Sequence, residues 1–188
     1  MALNITGDPE ADALLDQSPF ALLTGMLLDQ QVPMETAFAG PAKLRDRLGS
    51  LDPATVSGTD PERLAEVMKL TPAVHRFPGS MAARVQALAA AIVSDWGGDA
   101  AAIWTQGDPD GAEVLRRLKA LPGFGEQKAK IFLALLGKQK GLRAAGWQDA
   151  AGDYGTPGYR SVADIVDAES LTRVREHKRA MKAAAKGH

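Results

Sequence analysis

Apolar positions along the chain recur three and four residues apart, and no stretch alternates strictly between apolar and polar, so helices are predicted throughout. Asp8 or Asp12 starts a short acidic helix reaching Leu15. Ser18-Pro19 is a cap and first-turn pair for a helix in which Phe20, Leu22, Leu23, Met26 and Leu27 leave almost no polar side. A helix apolar all round belongs in the middle of a fold, and Pro33 after Val32 should end it near Gln31. A second helix is expected over 35–48, broken or restarted at Gly40-Pro41. Thr59-Asp60-Pro61-Glu62 opens a short one to Met68, and the Phe77–Ser80 turn feeds a longer one, Met81–Trp96, stopped by Gly97-Gly98. Two more, 111–121 and 126–136, flank Pro122-Gly123-Phe124-Gly125. Residues 137–160 read as an irregular connection with one short helix around Trp147, and a last helix covers 168–185. The expected class is all-α.

Composition narrows the chemistry. The 188 residues fit one domain or two small lobes sharing a groove. With no cysteine, disulfides, thiolate zinc sites, iron–sulfur clusters and cysteine nucleophiles are excluded. The longest uncharged apolar stretch, 17–28, is shorter than the ~20 residues that span a bilayer. The acidic start MALNITGDPEAD does not look like a secretory leader, so a cytoplasmic protein is expected, without membrane contact. Neither His177 nor His188 belongs to a cluster with metal-ligand spacing, so no metal site is expected. The net charge of −1 conceals a division: residues 1–110 carry 15 acids and 7 bases, residues 111–188 carry 8 acids and 15 bases. A basic C-terminal part suits a polyanion, although a solvated basic helix would leave the same trace.

The segment Glu113 to Leu136 carries the clearest signal. Its Gly123-Phe124-Gly125 turn lies directly before a helix, so positive φ and close backbone approach come together with unpaired amides and the positive end of a helix dipole. Lys128 and Lys130 follow within a turn and a half and are expected to add countercharge. Such a corner holds a DNA phosphate without reading sequence. Ordinary helix–turn–helix connections also contain Pro and Gly, so the turn alone would be weak evidence.

Leu118-Lys-Ala-Leu-Pro-Gly-Phe-Gly-Glu-Gln-Lys-Ala129 resembles the helix-hairpin-helix motif of the DNA glycosylase superfamily that contains endonuclease III and the adenine and alkyladenine glycosylases. Met26-Leu-Leu-Asp-Gln-Gln-Val-Pro33 resembles that superfamily's buried helix, and residues 74–88 its glycine-containing loop and following helix. The resemblance covers 18–136 in order and spacing. It implies a two-lobed helical glycosylase fold, with a six-helix lobe over about 18–136 and a second lobe from the N-terminal segment and about 137–188. It also implies a monomer that grips double-stranded DNA at the hairpin, flips a base into the groove between lobes and fills the gap with Gln31, beside Gln30. A Gln pair capping a helix C-terminus is the competing reading. No prosthetic group is implied, although an alkali cation on hairpin carbonyls is.

Departures from that pattern shape the expected chemistry. Bifunctional members place a nucleophilic lysine two residues after the second hairpin glycine, where this chain has Gln127. Lys128, one residue on, is turned by about 100°, so a monofunctional hydrolase is expected rather than a lyase. The superfamily's aspartate falls sixteen to eighteen residues after the hairpin alanine, and 145–147 hold no carboxylate. Asp164, just before the last helix, is the leading candidate, with Asp149 and Asp153 as alternatives. Trp147, Tyr154 and Tyr159 could stack on a base or plug the core. The expected function is base-excision repair by hydrolysis of a damaged or mispaired nucleoside. The alternative is a non-catalytic helix-hairpin-helix DNA-binding module.

Overall fold

The computed structural model describes residues 3–186; His188 lies outside them. The described residues form eleven α-helices and two 3-10 turns, with no strand.

Local caps explain most helix starts. Asp8 accepts from Glu10 N–H at 3.0 Å to open α1 (Pro9–Gln17). Ser18 Oγ accepts from Ala21 N–H at 3.1 Å to open α2 (Pro19–Leu28). Every α2 residue after Pro19 is buried, as an all-round apolar helix must be. It ends three residues before the expected Gln31, because Asp29 already leaves helical geometry.

Helix α3 (Met34–Leu48) runs unbroken through Gly40-Pro41, which corrects the expected break. The glycine serves packing: a Cβ at Gly40 would lie 2.7 Å from Leu28 Cδ1 and 3.1 Å from Val74 Cγ1. Gly25 on α2 leaves the same kind of room for the Phe38 ring, so the two helices approach closely at glycine on both sides.

Helices α4 (Pro53–Gly58) and α5 (Pro61–Lys69) both lie on α6 (Pro78–Trp96), which Gly97 ends in the left-handed region. Helix α1 rests on α2 and α3, and α2 also touches α6. The short α7 (Ala102–Thr105) leads to α8 (Gly111–Lys119), where Asp110 accepts from Glu113 N–H at 2.8 Å. Helix α9 (Glu126–Gln139) is the hub of the C-terminal part. It contacts α8, α10 (Trp147–Ala150) and both 3-10 turns, Gly152–Gly155 and Val162–Asp164. Helix α11 (Ala168–Lys186) rests on the second turn.

Helix α2 contacts α9 and so joins the N-terminal helices to the C-terminal ones. Leu22, Leu27, Phe38, Leu88, Phe132 and Leu136 belong to one continuous buried cluster that runs through both, so the hairpin is held rigidly against the end of the buried helix. No helix among the described residues is long and apolar enough to cross a membrane.

Candidate nucleic-acid interface

The turn between α8 and α9 exposes Gly123 and Gly125 while burying the residue between them. Phe124 meets Phe132 edge-on, with ring centroids 6.2 Å apart, and its amide donates to the Leu121 carbonyl at 3.1 Å. Its side chain therefore anchors the turn in the core, which corrects its expected place on the DNA-facing surface. The glycines serve different purposes. Gly123 has φ +82°, and a Cβ there would overlap Leu27 Cδ1, so both backbone and packing require glycine. Gly125 has φ −78° and ψ −177°, correcting the expectation of positive φ at both. What its missing side chain leaves is space, since nothing lies within 4 Å of where a Cβ would sit.

Gly125 is also the N-cap of α9 and offers no side-chain acceptor to the helix. The first amide satisfied by the turn is Ala129 N–H, on the Gly125 carbonyl at 3.0 Å. The amides of Glu126, Gln127 and Lys128 precede it and are the orphan donors of the helix end. Lys130 lies half-buried one turn on, 3.4 Å from the Glu126 carboxylate.

Lys128 does something else than expected. Its ammonium donates to the Met26 and Leu27 carbonyls, both at 2.7 Å, so it caps the C-terminus of α2, where a cation complements the dipole. It is not free countercharge for a phosphate. Burial pushes its pKa down to about 8, against the opposing pull of Asp29.

Further contacts fix the chain leaving α2. Gln30 Nε2 donates to the Leu27 carbonyl at 2.8 Å, and Gln30 Oε1 accepts from Arg84 at 3.1 Å. His75, fully buried, accepts from Phe77 N–H on Nδ1 at 3.0 Å, leaving Nε2 to donate to the Gln30 carbonyl at 2.9 Å. Gln30 is thus committed within the protein. Gln31 follows with φ +59°, exposed and without an intramolecular side-chain partner. Of the expected pair, only Gln31 is available to a ligand.

A cleft of about 960 Å³ opens beside these residues. Gln31, Gln127, Lys130, Asp153 and Tyr154 line it together with Arg175, Lys178, Arg179 and Lys182 of α11. Gln127 Nε2 donates to the Tyr154 hydroxyl at 3.0 Å, leaving the Tyr O–H proton and the Gln carbonyl oxygen for a guest. Six Lys or Arg side chains line the cleft against two carboxylates, although the whole chain is nearly neutral. All six belong to the basic C-terminal part of the sequence.

The three candidate carboxylates separate clearly. Asp164 does not line the cleft. One of its oxygens meets Lys138 Nζ at 2.6 Å, the other accepts from Arg160 N–H at 2.8 Å, and its side chain is only 7% exposed. It closes the second 3-10 turn in a capping box with Ser161. Asp149 is exposed on α10, away from the cleft. Asp153 is exposed, lines the cleft next to Tyr154 and has no side-chain partner.

Among the aromatic candidates, Trp147 is a plug whose ring occupies the place of a Gly137 side chain, 2.5 Å from where its Cβ would be. Tyr159 lies under the Arg173 guanidinium, 5.1 Å from the ring centroid. Tyr154 alone of the three faces the cleft. Sequence reading singled out neither Arg160, which the cleft contains, nor Arg84. Both follow from contacts between distant segments, and no local spacing marks them.

No curated protein matches the chain. Over residues 24–186 the sequence matches the HhH-GPD superfamily base excision DNA repair proteins, and with its all-helical fold and its hairpin the chain belongs to that family.

Proposed function

We propose that the protein is a monofunctional DNA glycosylase that hydrolyses the N-glycosidic bond of a damaged or mispaired nucleotide in duplex DNA. The observation that carries this reading is the uncapped amide end of α9, with open space at Gly125 where a phosphate can approach. The predominantly cationic cleft alongside it supports the same reading.

Asp153 takes the catalytic part in preference to Asp164, whose oxygens are already engaged with Lys138 and backbone amides. As the C1′–N bond breaks, its electrons leave with the base, and the sugar develops oxocarbenium character. The Asp153 carboxylate stabilises that charge and takes a proton from the water that attacks C1′. Gln127 and Tyr154 orient the extruded base through their free carbonyl oxygen and hydroxyl proton. Gln31 fills the position the base vacates. The family resemblance also implies an alkali cation on the hairpin carbonyls. That ion would add positive charge beside the phosphate.

The test is incubation with duplexes containing uracil, hypoxanthine, alkylated purines, oxidised guanine or a mismatch, with abasic product read by alkaline strand cleavage. The expected result is product from at least one duplex, reduced roughly 10²- to 10⁴-fold in Asp153→Asn. Strand scission without alkali, with a borohydride-trapped adduct lost in Lys130→Met, would overturn the monofunctional assignment. Tight binding without product from any duplex would leave the protein a DNA-binding module.

A further inference from the structure

Cations around the cleft fall into three groups. Lys130, Arg175 and Lys178 are paired with Glu126, Glu35 and Asp29. Arg179 and Lys182 are exposed to solvent. Arg160 belongs to neither group: it is half-buried, its Nε is shielded from solvent without an acceptor, and no ion pair neutralises its guanidinium. A cation partly withdrawn from water without a counter-charge gains nothing from folding, so retaining one in a cleft needs a reason.

The nearest acid in sequence makes the arrangement more pointed. Asp164 accepts from the Arg160 backbone amide and not from its side chain, and its charge is met by Lys138 at 2.6 Å. The same carboxylate thus fixes the loop that carries Arg160 while leaving the guanidinium uncompensated.

We infer that Arg160 is a phosphate-binding residue, taking a backbone phosphate next to the extruded nucleotide inside the cleft. A planar guanidinium with several N–H donors matches a phosphodiester oxygen pair, and an anion is the partner that this guanidinium lacks within the protein. This assignment rests on the DNA-repair reading above and adds a second grip, separate from the hairpin. Asp164 is then a positioning residue, acting through the backbone at Arg160.

The test combines Arg160→Gln and Arg160→Lys with duplexes carrying a tetrahydrofuran abasic analogue, in which single phosphates near the analogue are replaced by neutral methylphosphonates. In the wild type, one replacement weakens binding about tenfold or more. In Arg160→Gln that same replacement has no further effect, and the slope of log affinity against log salt is shallower by about 0.9, as for one lost phosphate contact. Arg160→Lys recovers part of the affinity. Additive losses at every position, or wild-type affinity in Arg160→Gln, would overturn this assignment and leave the DNA reading standing. Failure of the wild type to bind any duplex would overturn both.

Discussion

Lys128 makes a quantitative prediction about stability and pH. Its ammonium is buried on the last carbonyls of α2, and its pKa falls from 10.5 to about 8. The unfolded chain therefore binds this proton more tightly than the folded one. The unfavourable contribution is complete below pH 8, shrinks as pH rises and is gone above 10.5. At 1.36 kcal/mol per pH unit the full shift corresponds to at most about 3 kcal/mol, and water reaching part of the ammonium reduces this to about 1–2 kcal/mol. Urea denaturation of the wild type and Lys128→Met from pH 7 to 10.5 isolates the effect, because other titrating groups are common to both. The stability of the wild type relative to the variant should rise by about 1–2 kcal/mol across that range. A difference that stays flat would mean a solvated lysine. One that falls would mean that the helix end raises the pKa instead, and either result refutes the argument.

Gly123→Ala combines left-handed backbone strain with overpacking against buried Leu27, so it should cost about 2–5 kcal/mol; a thermal midpoint within 2 °C of wild type, on the order of the shift from 1 kcal/mol, would contradict the packing described. Asp164→Asn leaves the largely buried Lys138 without its counter-charge and should destabilise by about 3–5 kcal/mol, seen as a lower urea midpoint with or without DNA. Gln31→Ala should leave the thermal midpoint unchanged, since the side chain is exposed and unpartnered. It should weaken binding to an abasic-analogue duplex more than to an intact one, which competition binding measures.

Much of the fold is legible because its signals are local. Ser18-Pro19, Asp60-Pro61 and Gly97 act where the chain says they should, and the all-round apolar face of α2 correctly predicts its central place. Gly40-Pro41 misleads because a glycine that admits a neighbouring helix looks like one that ends its own. Identical residue types likewise hide the different reasons for Gly123 and Gly125. At the site, the hairpin and Gln127 can be located by spacing. The role of Lys128 cannot, since its acceptors lie about a hundred residues earlier in the chain. The Asp164–Lys138 pair and the solitary Arg160 are also products of tertiary packing, so a position just before the last helix favoured a carboxylate that the fold uses as an anchor.

The central claim is that the amide end of α9 receives a DNA phosphate through the space left at Gly125. Gly125→Ala tests it most directly, because φ −78° and the absence of any neighbour within 4 Å let the variant fold without strain. Duplex DNA affinity measured between 50 and 200 mM salt, alongside the thermal midpoint, should show an unchanged midpoint. Binding should weaken by about tenfold or more, as expected when a methyl group displaces a charge-assisted contact. Unchanged affinity at every salt concentration in the folded variant would contradict the account.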